Sequence, residues 1–103
     1  MSYNVIEGGL KNFTQEVIKS DVPVLVDFWA AYCGPCRQLK PILDQVAGQG
    51  VKVVTVDITA EPELTKHFGI SALPTIVQFK DGKPGNRVVG LKSAKDLIEL
   101  AAA

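Results

Sequence analysis

The chain has 103 residues, 47% of them hydrophobic, and its 11 Lys+Arg offset its 11 Asp+Glu to a formal net charge of zero. That length predicts one domain spanning 1–103, with enough apolar material for a core that needs no metal or disulfide staple. The balanced charge, without a basic run interleaved with aromatics, argues against nucleic acid or another polyanion as partner. No apolar run approaches a membrane span, so no membrane partner is expected. Met1-Ser2-Tyr3-Asn4 lacks the character of a secretory n-region. The expected setting is therefore cytoplasmic, where dithiols are kept reduced and disulfides are mostly transient.

Tyr3 to Ile6 is short and partly apolar, which predicts an edge strand interrupted at Gly8-Gly9. Asn12 followed by Gln15 has capping-box spacing and predicts a short helix through Phe13, Val17 and Ile18, ended by Ser20-Asp21. Pro23 introduces Val24-Leu25-Val26-Asp27-Phe28-Trp29, apolar on both parities except Asp27, as a strand covered on both faces should be. Beyond Cys36, Leu39, Ile42, Leu43, Val46 and Ala47 recur at helical spacing and stop near Gly48-Gln49-Gly50. Pro41 lies inside this helix, cannot donate to the carbonyl of Arg37, and predicts a kink there.

Val51 to Ile58 reads as a β-branched strand. With the helix between them, it and the Val24–Trp29 strand form a βαβ unit, which predicts parallel pairing and a right-handed crossover. Glu61-Pro62-Glu63 opens a short helix stopped by Gly69. Leu73-Pro74-Thr75 leads into a strand from Ile76 to Phe79. Asp81-Gly82 is a hairpin signal, so the next strand, around Arg87 to Val89, should run antiparallel. Ser93 with Asp96 three residues later caps a last helix, with Leu97, Ile98 and Ala101 inward and Ala102-Ala103 fraying. The fold class is α/β, a mixed sheet between helices.

Both cysteines lie where the first long strand gives way to the first long helix. At a helix start, positions i and i+3 face one side with Cβ atoms about 5–6 Å apart. A disulfide needs them about 3.5–4.5 Å apart, so a modest tightening of the turn closes the bond and a modest relaxation opens it. Gly34 lets the backbone bend, and Pro35 suits a first turn whose N–H has no partner. Cys33 would meet free N–H groups and the positive end of the helix dipole, which favour the nucleophilic thiolate. Cys36, one turn further in, suits the resolving role. Other readings stand beside this one. The pair could be a static disulfide, although so short a loop gains little stabilisation, or two buried free thiols. It could also bind metal together with His67, a set of at most three soft ligands, one short of a closed zinc site.

The order of the elements, together with Trp29-Ala30-Ala31-Tyr32-Cys33-Gly34-Pro35-Cys36, resembles the thioredoxin family over the whole chain. Separate matches carry the resemblance: Asp27 six positions before Cys33, Cys-Gly-Pro-Cys, Pro41 in the following helix, Ala72-Leu73-Pro74-Thr75, the Phe79-Lys80-Asp81-Gly82 turn, and Gly90. It implies a thioredoxin fold, a central mixed sheet of about five strands flanked by about four helices. It implies a general protein-disulfide reductase whose only cofactor is its own redox-active disulfide Cys33–Cys36. The partners implied are a thioredoxin reductase and disulfide-containing protein substrates, and the state implied is a monomer. Asp27 would be the buried carboxylate that relays a proton to or from Cys36. Pro74 would be a cis proline facing the dithiol, with the backbone of Leu73 pairing with an extended substrate. Tyr32, Gly34, Pro35, Ile58, Ala72, Val89 and Gly90 would form a flat apolar docking area.

Two positions depart from the family pattern. Tyr32 stands where the family usually has Trp, which implies a different substrate or reductase preference. Thr55 stands where the family often has Lys beside the buried acid. Without that ammonium, desolvation should raise the pKa of Asp27 further. Trp29 reads as a packing residue that shields the site, His67 as decoration of a short helix, and Arg37 and Lys40 as a solvated helix face. Two competing functions are an oxidant or isomerase on the same dithiol, and a binding subunit in which the dithiol is incidental. A dimer sharing a metal cluster is a remote further reading.

Overall fold

The computed structural model describes residues 2–103; Met1, the first residue of the tetrapeptide read above against a secretory leader, lies outside the described residues. Five strands are present: β1 Ile6–Gly8, β2 Val24–Trp29, β3 Lys52–Asp57, β4 Thr75–Lys80 and β5 Lys83–Val89. They form one sheet in the order β1-β3-β2-β4-β5. The run Val24–Trp29 is thus the central strand, and it must bury both faces. That is why its apolar residues show no alternation.

Helix α1, Gly34–Gly48, connects β2 to β3. The two strands pair in parallel from Val24 opposite Lys52 to Trp29 opposite Asp57, as a crossover connection requires. β4 returns antiparallel to β2, and β5 antiparallel to β4. The β4–β5 turn has Asp81 at φ 54 and Gly82 at φ 77. Two successive left-handed residues match the twist of the flanking strands. A Cβ at position 82 would also lie 2.6 Å from the Ile18 carbonyl oxygen, so glycine is required twice over.

Strand parity sorts the core into two layers. Val24, Val26 and Phe28 pack with Phe13, Val17 and Leu64 on one side. Leu25, Val53 and Ile76 pack with Leu39, Leu43 and Val46 of α1 on the other. The second side is completed by Leu97 and Leu100 of α3, Ala94–Ala102. The first is covered by α2, Pro62–His67, and by a π-helical turn at Thr14–Ile18. Among the described residues, no helix is long and apolar enough to cross a membrane.

Several expectations need correction. The edge strand is Ile6–Gly8 rather than Tyr3 to Ile6, because pairing with Val54 to Val56 of β3 sets its register. The capping box at Asn12 and Gln15 does not form. Asn12 instead turns back, accepting from the Gly9 N–H at 2.8 Å and donating to the Glu7 carbonyl at 3.0 Å. The helix it was expected to open is a π turn, with the Lys19 N–H bonded to the Thr14 carbonyl five residues earlier at 2.8 Å. β5 starts directly after the turn and is longer than expected. In α3 the Ser93 hydroxyl caps the Asp96 N–H at 3.1 Å as expected, but Ile98 is only half-buried while Leu100 is buried. The helix runs through Ala102, and buried Gln78 of β4 donates to the Ala103 carbonyl at 2.7 Å and the Ala101 carbonyl at 3.4 Å.

Candidate active site

β2 ends at Trp29, and Ala30-Ala31-Tyr32 carries the chain into α1. Cys33 has an extended backbone, φ −93 and ψ 111, and is the N-cap of the helix. Its sulfur accepts the Cys36 N–H at 3.2 Å, doing what a serine or aspartate oxygen does at other caps. Gly34 and Pro35 fill the first helical positions, where the missing proline N–H leaves nothing unsatisfied. Cys33 and Cys36 are joined in a disulfide, with their α carbons 5.2 Å apart. The two sulfurs are not equivalent. Cys33 is half-buried, whereas Cys36 is 1% exposed.

The sheet gathers the other predicted residues at the same end. The Ile58 N–H donates to the Trp29 carbonyl at 2.9 Å, tying the end of β3 to the end of β2. Phe28 of β2 lies opposite Thr75 of β4, and Thr75 opposite Val89 of β5. Leu73-Pro74, joined by a cis peptide bond, therefore enters β4 beside Val89-Gly90. The Gly90 N–H closes the junction on the Pro74 carbonyl at 2.9 Å, and its φ of 97 is one that glycine adopts freely. The Thr75 hydroxyl donates to the Ala72 carbonyl at 2.6 Å and holds the preceding loop. Tyr32 is 72% exposed and Val89 49%. Pro35 and Ala72 are exposed too, whereas Gly34, Ile58, Leu73 and Gly90 are half-buried and Pro74 is buried.

Asp27 lies apart from this surface, inside the protein. It is 2% exposed on the α1 side of β2, with Thr55 opposite on β3 and Ile76 opposite on β4. Cys36 heads the buried row of α1, and Leu39 and Leu43 in that row pack with Leu25, two residues before Asp27 on the same strand face. Desolvation pushes the Asp27 carboxyl from 3.8 up to about 7, against a smaller downward pull from the Lys40 ammonium. Its Oδ1 has no hydrogen-bond partner among the described residues.

Reading Arg37 and Lys40 as a solvated face missed their contacts. The Arg37 guanidinium donates to the Ala31 carbonyl at 2.9 Å and holds the loop before the dithiol. The Lys40 ammonium lies 4.8 Å from the centre of the Trp29 ring. Helical spacing was the available signal, since the two residues follow Cys33 and Cys36 by four positions each. Leu91, 43% exposed, follows Val89-Gly90 and also escaped notice.

A disulfide set across a helix cap at the strand ends of a mixed sheet, with one cysteine half-buried and the other enclosed, defines a thiol–disulfide oxidoreductase. Comparison with known proteins narrows the class. The family model described as Thioredoxin matches residues 4–103. The chain is 43% identical over 102 residues to a Thioredoxin of Rickettsia bellii, covering 96% of this chain and 94% of that one. It is 48% identical over 81 residues to Thioredoxin 1 of a Nostoc species, 76% of each chain. A Thioredoxin of Mycobacterium bovis is 40% identical over 90 residues, covering 84% of this chain and 78% of that one. The chain belongs to the thioredoxin family.

Proposed function

We propose that this chain, acting as one domain and as a monomer, is a general reductant of protein disulfides, with Cys33 attacking and Cys36 resolving. The single observation that carries the assignment of roles is the asymmetry of the pair. Cys33 is the more exposed of the two and its sulfur faces a helix N–H, while Cys36 is enclosed. In the first step the Cys33 thiolate attacks one sulfur of the substrate disulfide. The substrate S–S bond breaks, a mixed disulfide forms, and the departing thiolate takes a proton. In the second step Cys36 gives its proton to the Asp27 carboxylate and attacks the Cys33 sulfur. The mixed disulfide breaks, Cys33–Cys36 forms, and the second substrate sulfur leaves as a thiolate that takes a proton from solvent, to which Asp27 then returns its own. A carboxyl pushed up to about 7 by burial is matched to this proton transfer near neutral pH.

The docking surface in this reading comprises Tyr32, Gly34, Pro35, Ile58, Ala72, Val89 and Gly90, with the Leu73 backbone pairing to an extended substrate and Pro74 facing the dithiol. The exposure of Tyr32 and Val89 beside the cap supports it. A thioredoxin reductase returns two electrons and two protons to the disulfide. The reaction needs no other bound group, nucleic acid or membrane, and we assign it to the cytoplasm.

Cys33→Ser abolishes reduction of a disulfide-bonded protein. Cys36→Ser instead accumulates a covalent adduct that dithiothreitol releases, seen by mass spectrometry of the trapped complex. Undiminished turnover by Cys33→Ser, or adducts formed on Cys36 alone, would remove the assignment.

A further inference from the structure

A buried carboxyl with an unpartnered oxygen remains ionisable near neutral pH only if some nearby charge offsets its desolvation. The strands flanking Asp27 supply none: its register partners are Thr55 and Ile76, and the one charged residue further along the same face of β3, Asp57 opposite Trp29, is an anion. Leu25 and Trp29 share its face of β2. Trp29 is two residues further along, with its α carbon roughly 7 Å away at the usual strand rise. Both Trp29 and Thr55 line a cavity of about 200 Å³, whose charged walls are Glu7 of β1 and Lys40 and Asp44 of α1. Lys40 is the only cation among them, and its ammonium is docked 4.8 Å from the Trp29 ring centre. A lysine moving freely in water would be screened. The indole face holds this one beside the strand that carries Asp27.

We infer that Lys40 is a positioning residue of the exchange reaction: docked on Trp29, it is the cation that sets the pH range over which Asp27 gives up and takes back its proton. The inference rests on the proton role proposed above for Asp27. The ammonium opposes the burial that drives Asp27 upward, while Glu7 and Asp44 on the same cavity weaken it. Without the ammonium, Asp27 stays protonated further into the neutral range and is a poorer acceptor for the Cys36 proton. Thr55, uncharged on the neighbouring strand, offers no substitute.

The test is a carbon-detected NMR titration of the Asp27 carboxyl in the oxidised full-length protein, in which neither cysteine titrates. It is run on the parent, Lys40→Met and Lys40→Arg. Lys40 is exposed, so both variants fold. Turnover against a disulfide-bonded peptide, with dithiothreitol as reductant, is followed over the same pH range. In Lys40→Met the Asp27 midpoint rises by about one pH unit, and the turnover profile moves with it. Lys40→Arg keeps the charge and the ring contact and leaves both where they were. An Asp27 titration unmoved in Lys40→Met overturns the inference and leaves the role of Asp27 standing. A titration that moves while the turnover profile does not overturns both.

Discussion

The two faces of β2 share one backbone and are put to opposite uses. Val24, Val26 and Phe28 face a layer rich in rings, where Phe68 lies 5.5 Å from Phe13, 6.0 Å from Phe28 and 5.3 Å from Phe79 between ring centres. The core of that layer is apolar, its one buried hydroxyl, on Thr75 opposite Phe28, is satisfied by the Ala72 carbonyl, and tilted or edge-on rings add to the area buried. The other face alternates Leu25 and Trp29 with Asp27, whose Oδ1 is buried without a hydrogen-bond partner. One face gains stability from packing. The other surrenders some by burying an ionisable carboxyl, so the same depth of burial gives strength on one side and a raised pKa on the other.

The contrast is broken most severely at Phe28. Phe28→Ala should cost about 3–5 kcal/mol, read from the urea midpoint, with turnover per folded molecule unchanged. A variant that loses activity without losing stability would show that the ring layer also serves the site.

Asp27→Asn sharpens the contrast in the opposite direction. The folded carboxyl is raised from 3.8 to about 7, so between those values the folded chain holds a proton that the unfolded chain has released. The stability this group contributes is full below 3.8, is lost as pH rises through the window, and levels off above about 7. Asp27→Asn lacks this dependence. It should be more stable than the parent above the window by up to about 4 kcal/mol, equal to it below, and slower in turnover. Urea unfolding at both ends of the window checks the sign; parallel curves for the two proteins would refute it.

Smaller effects belong to the α3 side of the sheet. Gln78→Ala removes the donor that pins the chain end, costs about 1 kcal/mol, and speeds amide exchange in the last turn of α3. Ser93→Ala removes the other end's cap and costs about 1 kcal/mol or less. Amide exchange confined to Asp96 and its neighbours would distinguish it from the loss at Gln78.

Much of this was legible in the chain. Val24–Trp29 appears with the bounds read from the sequence, because a strand buried on both faces has an unmistakable composition. The Cys33 cap, the Asp81-Gly82 turn and the Ser93 cap were legible for a similar reason: each is decided by groups within a few residues of each other. Asn12 misled because its side chain found better partners behind it than ahead. Gln78 and Lys40 were opaque because their partners, Ala103 and Trp29, lie 25 and 11 residues away.

Sequence alone determined the dithiol, its place at a helix start, the α/β order of elements and the two-sided burial of the central strand. All of these follow from spacing, backbone preference and local hydrogen bonding. Only the tertiary structure decided that Asp27 keeps an unpartnered oxygen, that Lys40 rests on the Trp29 ring, and that Gln78 reaches the chain end. Desolvation and through-space charge depend on what the folded chain brings near a group, and that is settled when sheet and helices close over β2.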